Sequence, residues 1–194
     1  SQSFDATGHG WTFGGTASTW RVGTPAGTMG TTAASPPNAL LMQSTGGVYN
    51  ANEQSWAMSP PMDFSAAVND PVLAFSRKIN LEGSWDGTWV EYTTNGGTNW
   101  VVLGTFPPLP TSLNWYNVAS VISYAGPCWN GDSYTAWVRS VHTLTGLAGK
   151  PCVQIRFRGS SDGSVQYSGM GVDDLVVGDF PQKDIEVVSA SVGY

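Results

Sequence analysis

Adjacent acids at Asp173 and Asp174 are the first residues in this chain whose types suggest chemistry. On a strand, successive side chains point to opposite faces, so the two carboxylates are not expected to work together as an acid and base pair. The run around them, Gly171-Val172-Asp173-Asp174-Leu175-Val176-Val177, is apolar, which places one carboxylate among hydrophobic neighbours. An ionised carboxylate there needs a partner, and calcium, with its preference for hard oxygen ligands, is one. Hydrogen bonds from loop amides are the other. Asp5 is the expected second calcium ligand and Glu53 a third candidate.

Aromatic residues form the second conspicuous set, with nine Trp and seven Tyr in the chain. Flat aromatic faces are what a sugar-binding surface uses for stacking and apolar contact. Trp115, Tyr116, Trp129 and Tyr134 lie in turn-rich stretches and are the expected surface contacts, whereas Trp56, Trp89 and Trp137 alternate inside strand-like runs. Ordinary burial in a core is the competing reading for each loop aromatic.

Catalytic sets are missing. The two histidines, His9 between glycines and His142 in a strand-like run, have no recognisable Ser or Cys elbow to work with. The one acidic pair at a spacing of two, Asp184 and Glu186, sits in the tail, where it reads as a solvated edge rather than as a glycosidase pair facing a cleft. Cys128, Cys152, His9 and His142 show none of the short spacings of a zinc site. A Cys128–Cys152 bridge would close a loop of about 25 residues and stabilise the fold by roughly 3 kcal/mol. We expect that bridge, with two buried free thiols as the alternative.

These residues must be positioned by strands. Among 194 residues, 24 Gly and 12 Pro would break long helices repeatedly but suit many short strands joined by turns. Hydrophobic residues make up 41% and charged residues 11%, which is ample for one core and leaves Ser, Thr, Asn and Gly to cover the surface. Strands are expected at Trp20 to Gly23, Asn38 to Gln43, Gln54 to Met58, Pro71 to Leu81, Gly87 to Thr94, Asn99 to Leu103, Ala136 to Thr143, Val153 to Arg158 and Gly171 to Val177. Asn95-Gly96 between two β-prone runs marks a hairpin, because both residues accept positive φ. The class is all-β, two packed antiparallel sheets. Residues 1–181 form the expected domain, and 182–194 either its closing strand or a linker into a following domain. A net charge of −6 without a Lys or Arg cluster argues against nucleic acid, and no apolar run is long enough to cross a bilayer.

Glu91-Tyr92-Thr93-Thr94-Asn95-Gly96-Gly97-Thr98-Asn99-Trp100, Trp129-Asn130-Gly131-Asp132, Leu147-Ala148-Gly149, Ile155-Arg156-Phe157, Ser161-Asp162-Gly163 and Gly171-Val172-Asp173-Asp174-Leu175 occur in that order. Together they resemble the bacterial MAM-like and cleaved-adhesin jelly rolls of secreted multidomain proteins, over roughly Phe4 to Asp179. The resemblance implies a jelly-roll sandwich with structural calcium pinning its terminal strands, in a secreted or cell-surface protein. It also implies a non-catalytic role: adhesion or carbohydrate binding, with a glycan or an extracellular protein as partner beside neighbouring domains of the same chain. An accessory domain of a peptidase or glycosidase and a purely architectural spacer are the alternatives. The loop Phe106-Pro107-Pro108-Leu109-Pro110 and the low cysteine content depart from animal MAM domains.

Overall fold

Period-two alternation interrupted by Gly and Pro yields ten strands in the computed structural model, which describes residues 1–178 and, for 132–135, the backbone alone. The expected closing strand or linker at 182–194, with Asp184 and Glu186, lies outside the described residues. One five-stranded sheet runs in the order β1 (Thr12–Thr16), β4 (Gln54–Met58), β9 (Gln154–Ser160), β6 (Gly87–Thr93) and β7 (Val101–Val102). The second runs β2 (Trp20–Gly23), β3 (Ala39–Met42), β10 (Gly169–Gly178), β5 (Val72–Asn80) and β8 (Asp132–Thr143). Every pairing within them is antiparallel. This is the expected all-β, two-sheet antiparallel sandwich. A single 3-10 turn, Gly27–Met29, is the one helical element among the described residues, none of which forms a helix long and apolar enough to cross a membrane.

The start of the chain meets the last described strand, since Gln2 and Leu175 of β10 exchange backbone hydrogen bonds. The Asn-Gly hairpin is also present, with Glu91 opposite Val102 and Tyr92 opposite Val101. Its turn is held by Thr93 Oγ1, which accepts from the amides of Asn95 and Gly97.

Strand β9 sits at the centre of its sheet and divides its side chains by parity. Ile155 and Phe157 point inward and are fully buried, while Gln154, Arg156 and Arg158 point outward. Phe157 meets Phe75 of the opposite sheet edge-on at 5.1 Å and stacks on Trp11 at 6.0 Å. Gly159 is inward too, and a Cβ there would run into the Met42 sulfur of the facing sheet, so the Met42 side chain would have to move to admit one.

The expected disulfide is corrected: Cys128 and Cys152 are both free. Cys128 is buried beside Gly87, which pairs with Ser160 at one end of β9, whereas the exposed Cys152 precedes the other end of that strand. At about 3.3 Å per residue, β9 separates them by roughly 20 Å. A bridge needs Cα atoms within about 7 Å.

Two predictions follow from this packing. Truncating Phe157→Ala should cost about 3–5 kcal/mol of unfolding free energy, read from urea denaturation midpoints, because the cavity opens where both sheets meet. Thiol titration of the unreduced protein should find one reactive group when native and two when denatured, since burial pushes the Cys128 thiol up to about 12.

Candidate functional site

Three carboxylates converge at one end of the sandwich, where the β5–β6 and β9–β10 loops meet. The first loop runs from Leu81 to Asp86 and is closed by the Trp85 and Asp86 amides, which donate to the Glu82 carbonyl at 3.3 and 3.2 Å. Buried Asn130 holds its shape: Nδ2 donates to the carbonyls of Glu82 and Asp86, and Oδ1 accepts from the Ser84 amide. The second loop delivers Asp162, whose amide donates to Asp86 Oδ1 at 2.9 Å. Each of Glu82, Asp86 and Asp162 offers an oxygen within 4.8 Å of the others.

Asp86 is fully buried, and Tyr49 Oη donates to its Oδ2 at 2.5 Å. Desolvation pushes its carboxyl up to about 6, and the charges of Asp162 and Glu82 add to the rise. Burial and Asp162 raise Glu82 as well. Glu82 Oε2 is buried with no hydrogen-bond partner among the described residues. An unpartnered carboxylate oxygen beside two further carboxylates is an arrangement that a hard cation satisfies, and the cluster could hold a metal ion.

None of these three was anticipated. Glu82 and Asp86 stand four apart in a loop, and Asp162 is 76 positions further on, so only the fold joins them. The Ser161-Asp162-Gly163 motif was visible, but its partners were not.

The expected calcium ligands lie elsewhere and do different work. Glu53 is fully buried and saturated: Oε1 accepts from the Thr19 amide and hydroxyl and from Ser55, and Oε2 from Thr19 Oγ1 and the Asn50 amide. Asp5 is exposed and accepts from the Asn38 amide at 3.0 Å. Asp173 and Asp174 were expected to point to opposite faces; instead a β-bulge between Asp173 and Val176, with Asp174 at φ 48°, turns both toward Ser35. Asp173 Oδ2 accepts from the Ser35 amide, and Asp174 Oδ1 from its hydroxyl. Loop hydrogen bonding, the competing reading, describes the bonds these residues make.

The loop aromatics are also corrected. Trp115, Tyr116 and Trp129 are 3%, 1% and 0% exposed, packed ring against ring with centroids 4.8 to 5.4 Å apart. Turn-rich sequence therefore folds inward here, with Trp129 Nε1 and Trp115 Nε1 donating to the carbonyls of Asn114 and Leu103. The side chain of Tyr134 lies outside the described residues.

Aromatic surface occurs instead on the outer side of the β1-β4-β9-β6-β7 sheet. Trp56, Arg158 and Trp89 stand in one cross-strand row, with Met58, Arg156 and Glu91 in the next such row on the same side. Trp89 is buried under Tyr124, stacked in parallel at 3.6 Å, while Trp56 and Arg158 are half-buried. Arg156 Nε donates to Glu91 Oε2 at 2.6 Å and its guanidinium lies 3.9 Å over Trp100.

No family model matches the chain, and no curated protein sequence matches it. Solved structures do. The K2 cleaved adhesin domain of Lys-gingipain superposes with a TM-score of 0.54 at 15% identity, covering 93% of this chain and 97% of that domain. The fold is that of a cleaved adhesin domain. The K1 adhesin domain of the same protein, from Porphyromonas gingivalis, gives 0.52 at 11% identity over 93% of this chain and 97% of its own. A carbohydrate-binding module, TmCBM61, solved with β-1,4-galactotriose, gives 0.52 at 8% identity over 93% of this chain and all of that one (100%). The adhesin-type sandwich thus accounts for nearly the whole of the described chain.

The raised carboxyls set a pH dependence whose sign is fixed. Asp86 and Asp173 both titrate near 6 when folded, against an ordinary value of 3.8. Between these values the folded chain holds protons that the unfolded chain releases, so the metal-free protein should lose stability as pH rises from about 4 to about 6 and level off above. Urea midpoints at pH 4, 5, 6 and 7 in the presence of a chelator test this; Asp86→Asn should flatten the fall without abolishing it, because Asp173 remains.

Proposed function

We propose that this chain is a non-catalytic extracellular binding module that holds one structural calcium ion at Glu82, Asp86 and Asp162 and engages a glycan or cell-surface ligand beside other domains of its parent protein. The observation that carries the proposal is the carboxylate cluster with its unpartnered Glu82 oxygen, set in a sandwich shared with adhesin and carbohydrate-binding modules. Two oxygens on one calcium, each 2.3–2.6 Å from the ion, lie at most about 5 Å apart, which accommodates a cluster whose oxygens fall within 4.8 Å. Magnesium demands near-ideal octahedral geometry and prefers to keep several waters, whereas calcium accepts an irregular set of carboxylate oxygens.

Bound there, calcium would supply positive charge that lets all three carboxylates ionise together. The protein's share of the work is geometric. Asn130 fixes the Glu82 and Asp86 backbone, and the Asp162 amide ties the far loop to Asp86, so the ion would clamp the β5–β6 loop to the β9–β10 loop. Nothing in this arrangement activates a nucleophile or water at a substrate cleft: Tyr49 donates its hydroxyl to Asp86, and burial together with that bond raises the phenol far above its ordinary value. Because TmCBM61 was solved with a galactose oligomer, sugars are the ligand class to screen first.

Calcium at 1,000 times its dissociation constant should stabilise the domain by about 4 kcal/mol, visible as a rise in melting temperature that a chelator reverses. Asp86→Asn and Asp162→Asn should remove the rise, and wild-type affinity should weaken below about pH 6 as Asp86 takes up its proton. A melting curve that is indifferent to both calcium and chelator would sink the calcium assignment.

A further inference from the structure

We infer that the outer side of the β1-β4-β9-β6-β7 sheet binds an anionic sugar, with Arg158 receiving the ligand's carboxylate and Trp56 stacking on its ring. The inference rests on the binding-module reading and names the ligand class and the surface. Charge bookkeeping on this side of the sheet points to it. Glu91 is consumed twice, its Oε1 accepting from Trp89 Nε1 at 2.9 Å and its Oε2 from Arg156 Nε at 2.6 Å. Arg158 is left over. It forms no ion pair among the described residues, its Nε has no hydrogen-bond partner, and its guanidinium lies 5.4 Å over the Trp89 ring. Glu91 lies near enough for its charge to favour the Arg158 guanidinium, but its oxygens are already bonded to Trp89 and Arg156, so this half-buried guanidinium has no carboxylate bonded to it. The net charge of the two rows, two arginines against one glutamate, is positive on a protein of net charge −6.

The aromatic neighbours turn that charge into a sugar site. Trp56 faces Arg158 directly across the β4–β9 ladder, and Trp89 faces it from β6, so the guanidinium sits midway in a row roughly 10 Å wide. Gly14 of β1 lies against the Trp56 indole, where an added Cβ would come within 2.5 Å of the ring, so the absence of a side chain lets the ring lie down along the sheet. The indole lies against β1 at Gly14 and is half-buried, so part of it remains open to solvent. An aromatic plane beside a fork of unpaired donors matches a pyranose whose apolar face stacks while its carboxylate takes a bidentate pair. A phosphate or peptide carboxylate would satisfy Arg158 but leave the indole without a flat partner.

Titration calorimetry with α-1,4-linked trigalacturonate and α-1,4-linked galactotriose isolates the carboxylate, because with the linkage matched the two differ in the group at C6; sialyllactose tests whether the carboxylate can come from a sialic acid instead. We expect at least one acidic sugar to bind about tenfold or more tighter than galactotriose, with the preference shrinking as salt is added. Arg158→Gln should reduce that preference to about twofold or less, Arg158→Lys should keep part of it, and Trp56→Ala should weaken every sugar that binds. Melting temperatures taken alongside identify any variant that loses binding by unfolding, and for such a variant the Lys substitution and the wild-type salt series decide. Equal binding of acidic and neutral sugars, or a preference that survives Arg158→Gln in a folded protein, overturns the acidic-sugar assignment. If galactotriose alone binds, and Trp56→Ala abolishes it, this inference fails while the binding-module reading stands. Binding of no sugar overturns the inference, and the calcium response then judges the remaining reading on its own.

Discussion

Phe157 stands between the two sheets, edge-on to Phe75 and stacked on Trp11, and the placement of everything else on β9 follows from it. Once its ring points into the core, period-two alternation sends Ile155 and Gly159 inward and Arg156 and Arg158 outward. The register of β4 and β6 on β9 then lines up Trp56 and Trp89 with Arg158, and Met58 and Glu91 with Arg156. The end of the same strand leads through Ser160 and Ser161 to Asp162. The packing of one aromatic residue thus orients both the outer aromatic row and the loop that completes the carboxylate cluster.

Buried polar groups divide into those that the fold satisfies and those it leaves for something else. Glu53 takes five hydrogen bonds and ties Thr19, Asn50 and Ser55 together, a strut that replaces hydration group for group. Asp173 receives three, from the Ser35 amide and hydroxyl and from the Asp174 amide. Against that background the unpartnered Glu82 Oε2 and Arg158 Nε stand out, one negative and one positive, at separate places on the molecule. Other buried atoms also lack partners, Trp20 Nε1 and Thr88 Oγ1 among them, but Glu82 and Arg158 carry formal charge, which makes the missing partner far more costly.

Strand positions were legible because Gly and Pro cut the chain into short runs and alternation fixed their type; the run Gln54 to Met58 coincides with β4 and Trp20 to Gly23 with β2. The sites were far less legible. Turn-rich composition around Trp115, Tyr116 and Trp129 was read as surface, yet backbone exchanges between Val118 and Cys128 and between Thr88 and Trp129 fold this long connection back into the core. Alternation predicted opposed directions for Asp173 and Asp174, but a bulge, which leaves no residue pattern of its own in this run, cancels it. Glu82, Asp86 and Asp162 meet through two loops, and pairing between loops has no period for a sequence to display.

The parity of β9 also bears on how such a domain can vary. Inserting or deleting one residue ahead of Phe157 would exchange the two sides of the strand, driving Arg156 and Arg158 into the core and Phe157 into solvent. Length changes are therefore barred from this strand, while substitutions at 154, 156 and 158 leave Ile155 and Phe157 in place. The outer row can diversify residue by residue on an unchanged interior, so that homologous sandwiches could exchange one ligand chemistry for another without relearning how to fold.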